Sequence, residues 1–329
     1  MEITKNQVDD LNIELTIALK GDDYAEQEKK RLAAYRRNAD FKGFRKGMVP
    51  ESLIRRIYGE QILVEAVNQV ISKGLEDFIE GEKLHILGEP MGSEKQPEIE
   101  WKDGNDFTFI FDIALYPEVT VSAGKEDSIP SYQITVSAKE KATMKENLKK
   151  YYEDKKEEKT DEEIEKEVAE RLKEEYKNEA EWRLSSDIRK YFVDKAGVKL
   201  PEEFLKRWLI ASNEKVKPED VEKEFPGFLA DFRWQLVRGA FMKNYGFTVD
   251  QKDLEEAARA YVTYQYAMYG MGNVPEDIIS NSAKQVLEDR SQIDRLVEQV
   301  EDRKVLAKLK EEVTLTSKRI GSEKFRELK

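Results

Sequence analysis

Between Thr160 and Tyr176 one side of a helix is apolar and almost everything else is charged. Ile164, Val168, Leu172 and Tyr176 recur every four residues, and nearly all the positions between them are Asp, Glu, Lys or Arg. Thr160 followed by Glu163 is a capping-box pattern that sets the start of this helix. So narrow a stripe can be buried against only one or two neighbours. The spacing therefore predicts long helices laid side by side, arms rather than a ball. Composition agrees: 38% of the chain is charged, against a typical ~25%, so the 39% that is apolar must be spread thinly beneath a large solvated surface.

The first hundred residues follow another period. Leu11, Ile13, Leu15, Ile17 and Leu19 alternate as in a half-buried strand, and Phe107, Phe109, Phe111, Ile113 and Leu115 repeat the pattern before Tyr116-Pro117 ends it. Gly21-Asp22-Asp23 breaks the first strand and caps a helix over about Tyr24 to Ala39. A glycine-flanked basic turn follows, and then helical spacing in two pieces between Glu51 and Glu80. These signals place an α+β domain at 1–116.

The rest, 117–329, reads as an irregular connection and then helices. Tyr132 to Val136 is a short extended piece, and Ser137 caps a helix running to about Lys155. After the Thr160 helix, which ends near Gly197, Pro201 opens one carrying Phe204, Leu205, Trp208 and Leu209. Phe225 to Ala240 keeps helical spacing up to Gly246, a further helix begins near Gln251, Pro275 starts another, and Ile293 to Val300 marks the last. The remainder is expected to be helical throughout.

Without cysteine, thiolate metal sites, disulfides and thiol nucleophiles are excluded. The start, Met1-Glu2-Ile3-Thr4-Lys5, has no signal pattern, and no apolar run approaches the roughly 18 residues of a membrane span, so a cytoplasmic protein without membrane association is expected. His85, between Leu84 and Ile86, has no recognisable orienting partner or nucleophile, and no phosphate-binding glycine loop occurs. Carboxylates sit in Glu/Lys-mixed runs that helix-surface pairing explains. No catalytic residue, metal site or cofactor is expected.

The net charge of −12 disfavours nonspecific nucleic-acid binding. Screening confines exposed charges to ~8 Å, however, so a local basic patch acts by itself. Lys29, Lys30, Arg31, Arg36, Arg37, Lys42, Arg45, Lys46, Arg55 and Arg56 form such a patch around the turn 41–50, with Phe44 at its tip. On spacing alone the turn is either an ordinary solvated one, with Phe44 folded back, or a docking element whose aromatic meets a partner.

Gly43-Phe44-Arg45-Lys46-Gly47-Met48-Val49-Pro50 is similar to the GFRxGxxP signature of the trigger factor family. Ile57-Tyr58-Gly59, Ile86-Leu87-Gly88-Glu89-Pro90, Phe111 to Val119 and Leu200-Pro201-Glu202-Glu203-Phe204 follow in that family's order. The resemblance implies an α+β N-terminal ribosome-binding domain followed by an elongated all-α C-terminal chaperone domain with helical arms. It also implies that Gly43, Phe44, Arg45, Lys46, Gly47 and Pro50 dock on protein and rRNA of the large ribosomal subunit near the tunnel exit. The activity implied is ATP-independent holding of nascent or unfolded polypeptides. One departure stands out: the family's prolyl-isomerase domain of the FK506-binding type has no room near 153–160, where Lys149-Lys150-Tyr151-Tyr152 leads almost directly into Thr160. No isomerase activity is expected, and natural loss and engineered deletion both remain open. So does a homodimer off the ribosome. A ribosome-independent or envelope holdase of similar architecture is the alternative reading.

Tyr264, Tyr266, Met268, Tyr269 and Met271 form an aromatic and methionine cluster. Leu254, Ala258 and Tyr261 share a helical face beside it, and Tyr264 and Tyr266 lie off that stripe, so the cluster is either core or a surface for clients.

Overall fold

The computed structural model describes residues 1–156, 158–213 and 217–328. Position 157, within the expected join, lies outside the described residues. The elements run β1 (Glu2–Gln7), β2 (Asn12–Leu19), α1 (Gly21–Asn38), α2 (Glu51–Gly81), β3 (Ile86–Gly92), β4 (Phe107–Leu115), β5 (Ser128–Thr135) and α3 (Ala138–Lys155). Then come α4 (Asp161–Ala196), α5 (Glu202–Ser212), α6 (Pro218–Tyr245), α7 (Gln251–Met268), α8 (Glu276–Val286), α9 (Arg290–Glu312), β6 (Thr314–Gly321) and α10 (Ser322–Arg326). Met1–Glu118 with Lys199–Phe228 forms one compact unit, and Val119–Val198 with Leu229–Lys329 a second.

In the first unit the alternation becomes geometry. Ile13, Leu15, Ile17 and Leu19 are buried while the residues between them turn outward. The sheet is antiparallel in the order β1-β2-β4-β3, with Ile13 opposite Ile113 and Ile17 opposite Phe109. Leu63, Val67, Ile71 and Leu75 of α2, four residues apart, cover its inner face. The spacing predicts two helical pieces here; the structure has one unbroken helix. The stripe from Leu63 to Leu75 runs through it without a break, and Gly74 admits the N-terminal side chain: a Cβ there would stand 2.5 Å from Met1 Cε.

Helix α5 packs on β3 and β4 of the same unit. Arg207 donates to Asp112 at 2.8 Å, and Gly88, at φ +75°, faces the Trp208 indole so closely that a Cβ would lie 2.9 Å from its Nε1.

In the second unit Phe192, Val237, Phe241, Val305 and Leu309 centre one core. A second is the predicted stripe: Ile164, Val168, Leu172 and Tyr176 of α4 close on Leu148 and Tyr152 of α3. Full burial of each such side chain contributes roughly 1.5–3 kcal/mol, so this pair of helices is held largely by six residues. Thr160 forms the expected capping box with Glu163, and Ser137, expected as a cap, forms one as well, with Glu140.

The extended piece at Tyr132 to Val136 is a strand, β5, that begins earlier, at Ser128. It pairs in parallel with β6, where the spacing had predicted helix; Ser128 is opposite Thr314 and Thr135 opposite Gly321. The first six residues of β6 are exposed on both faces, so no apolar alternation could announce it. The partner strand, 186 positions earlier in chain order, makes it a strand.

Candidate functional site

The basic turn between α1 and α2 is two consecutive β-turns. The Phe44 N–H donates to Phe41 O at 3.0 Å and the Met48 N–H to Arg45 O at 2.8 Å. Gly43 and Gly47 occupy the third position of each, at φ +97° and +80°, the left-handed conformation that type II turns require. The repeat Phe-Lys-Gly-Phe, Arg-Lys-Gly-Met thus dictates a doubled turn whose crest is Phe44-Arg45-Lys46. Below it Val49 is fully buried with Leu32, Ile54 and Ile62, and Phe41 packs on Tyr58 at 6.3 Å. Phe41 points in; Phe44, three residues on, is 43% exposed and Met48 65%.

The positive charge is divided in two. Arg31 pairs with Glu65 at 3.0 Å, Arg55 with Glu28 at 2.7 Å, and Arg36 donates to Val49 O at 3.1 Å, pinning the exit of the turn. Burial pushes the Glu28 carboxyl up from its ordinary value, with Arg55 opposing. Arg45 and Lys46 are exposed and make no ion pair among the described residues. Pro50 caps α2 and directs the chain into it. The six predicted residues therefore lie in one contiguous crest and its base. Such a crest can offer two cations and an apolar ring to an anionic, partly apolar surface.

At the end of α7 the predicted cluster divides. Tyr264, Met268, Tyr269 and Met271 are exposed, Tyr269 by 81%. Tyr266 is half-buried against the core formed by Ala258, Val262 and Leu296, and its hydroxyl lies 3.0 Å from the Ser282 hydroxyl. The cluster is accordingly four solvent-facing side chains around one anchored tyrosine.

His85 is solvent-exposed, its carbonyl accepting from the Tyr116 N–H at 2.8 Å. Among the described residues no group of three or more His, Asp or Glu side chains could hold a metal ion, and no helix is long and apolar enough to cross a membrane.

Residues 1–148 match the family described as "Bacterial trigger factor protein (TF)", and residues 180–329 match "Probable trigger factor, C-terminal domain". The chain belongs to the trigger factor family. A trigger factor of Saccharophagus degradans is 28% identical over 154 residues, 47% of this chain and 34% of that protein. That of Aliivibrio fischeri is 26% identical over 150 residues, 46% of this chain and 34% of that protein. The chain thus matches about a third of the length of these curated relatives. A solved structure, from work on promiscuous substrate recognition in folding and assembly by the trigger factor chaperone, aligns with a TM-score of 0.55 at 14% identity. It covers 95% of this chain and 100% of that chain. The fold is that of trigger factor, an α+β N-terminal region followed by a helical C-terminal part. Between the two matched stretches, the described residues of 149–179 are the end of α3, the connection after it and the first half of α4, which fits a trigger factor without the isomerase insert.

Sequence reasoning missed two exposed apolar residues. Met48 stands beside the crest, and its signal was its place between Gly47 and the apolar Val49. Trp182, 72% exposed on α4, falls off the four-residue stripe, which is the signal that could have found it.

Proposed function

We propose that this trigger factor is an ATP-independent chaperone that docks at the tunnel exit of the large ribosomal subunit and holds unfolded or nascent chains. The observation that carries the reading is the doubled turn, which raises Phe44, Arg45 and Lys46 on two positive-φ glycines while Arg31, Arg36 and Arg55 are bound internally. Arg45 and Lys46 would bind rRNA phosphate or acidic protein side chains, and Phe44 an apolar pocket. Family membership supports it, as does the likeness to a solved trigger factor chaperone.

Clients would meet the exposed Tyr264, Met268, Tyr269 and Met271. Partial burial of each contributes less than the ~1.5–3 kcal/mol of a core side chain. Contacts this weak need several to act together, and a client that buries its own apolar groups on folding leaves them. Docking keeps the holding surface at high effective concentration near emerging chain. In this reading the protein works in the cytoplasm and has no prolyl-isomerase activity.

Co-sedimentation with ribosomes over a salt series tests the docking. Binding should weaken as salt rises, and the Arg45→Ala variant should flatten that dependence. Binding that is absent at low salt, or unchanged in a Phe44→Ala/Arg45→Ala/Lys46→Ala variant, would leave a ribosome-independent holdase as the reading.

A further inference from the structure

The exposed cluster of α7 borders a cleft that its composition sets apart. It has a volume of about 410 Å³ and lies among the end of α7, α8 and the start of α9. Three tyrosines, Tyr261, Tyr266 and Tyr269, and three glutamines, Gln265, Gln285 and Gln292, line it with Val262, Val286 and Ser282. The one charged lining residue is Asp289, in a chain that is 38% charged. One of its carboxylate oxygens, Oδ1, accepts from the N–H and hydroxyl of Ser291 at 2.9 and 2.8 Å. The cleft therefore selects against anionic occupants, which would be desolvated beside Asp289 without a partner.

The walls are helices, whose backbone groups outside the terminal turns bond within the helix. They present no row of free N–H and C=O groups with which a β-strand could pair. An ordinary extended peptide would lose water from its N–H groups there and recover few partners. A proline-rich segment has few N–H groups to lose, is already extended in the polyproline II form, and offers its carbonyls and flat rings. Aromatic walls with side-chain donors suit those features. Gln265 is held by the Tyr261 hydroxyl and Tyr266 by Ser282, which fixes two of the aromatic walls. Gln285 and Gln292 make no side-chain hydrogen bond among the described residues, leaving two amides to meet client carbonyls.

We propose that this cleft binds uncharged, proline-rich extended segments of unfolded clients, so that the protein holds proline-containing chain without isomerising it. The inference rests on the holding function proposed above and names the client chemistry of that surface. The test uses the full chain and two labelled, uncharged twelve-residue peptides, read by fluorescence anisotropy: one alternating Pro and Leu, the other with every Pro replaced by Ala. The proline peptide should bind at least fivefold more tightly. In a Gln285→Ala/Gln292→Ala variant, with unchanged helicity by circular dichroism, that preference should fall below twofold. Equal binding of the two peptides overturns the proline inference and leaves the holding function standing. A preference that survives in the variant overturns the cleft as its source. Binding of neither peptide, together with failure to suppress aggregation of an unfolded protein, removes the holding function and the inference with it.

Discussion

Two connections between helices, α1 to α2 and α3 to α4, are both rich in lysine and arginine, and they use that charge in opposite ways. In the second, Lys159 reaches Glu167 and the Tyr152 hydroxyl, each at 2.8 Å, and Lys145 and Lys149 both reach Asp161. Lys159 holds the Glu167 carboxyl down at about 2, with Tyr152 adding to the effect. Further along, Glu140 accepts hydrogen bonds from Ser322, Tyr176 and Ser137. This connection closes on itself, in the stretch between the two regions that match the family. The first leaves Arg45 and Lys46 unpaired above a buried Val49. Exposed ion pairs contribute little to stability, so unpaired cations are not a defect of folding. They are what remains available to a partner.

The largest expected effect breaks the comparison at its exposed end. Replacing Phe44, Arg45 and Lys46 together by alanine should lower ribosome affinity by more than ~100-fold, since two cationic contacts and one aromatic are lost at an interface. Thermal unfolding should move by no more than about 0.5 kcal/mol, the usual range for surface changes. A large loss of stability would mean that the crest is part of the fold.

Next in size is the client surface. Tyr264→Ser/Met268→Ser/Tyr269→Ser/Met271→Ser should reduce suppression of aggregation of an unfolded protein several-fold while circular dichroism stays constant, because all four side chains are exposed. Tyr266→Phe, by contrast, should leave holding intact and cost about 1 kcal/mol in denaturant unfolding, through the lost Ser282 hydrogen bond.

The glycines sharpen the comparison from the backbone. Gly43→Ala or Gly47→Ala places a Cβ at φ +97° or +80°, a left-handed conformation that costs an L-residue roughly 1–2 kcal/mol. Because nothing stands within 4 Å of a Cβ at Gly43, the cost there is conformational and not steric. Ribosome affinity should fall up to about tenfold with α1 and α2 intact, as read by co-sedimentation and circular dichroism.

The smallest effect belongs to the closed end. Hydrogen bonds from Ser322 first, then Tyr176 and Ser137, hold the Glu140 carboxyl at about 2, below its ordinary 4.5. A depressed carboxyl contributes stability that is complete above pH 4.5 and is lost as pH falls towards 2. Melting temperatures measured from pH 5 to pH 2 should therefore decline less steeply in Glu140→Gln than in the parent chain. An identical slope would show that Glu140 does not tie α3 to α4 and α10.

Much of this was legible because the responsible residues are neighbours in sequence. Alternation at Ile13 to Leu19 and at Phe107 to Leu115 makes strands, Thr160 with Glu163 makes a helix start, and two Lys-Gly pairs make the doubled turn. Each depends on a spacing of a few residues, which backbone geometry converts directly into structure. What the tertiary structure decided involves partners far apart in the chain. Strand β6 exists because β5 lies beside it, and the space that a Cβ would need at Gly74 is filled by the distant Met1. Tyr266 turns inward to Ser282 while Tyr264 and Tyr269 stay in solvent, although helical spacing sets Tyr264 and Tyr266 alike off the apolar stripe. Local periodicity determines which face of an element is apolar; only the packed chain determines what covers that face and which side chains remain uncovered.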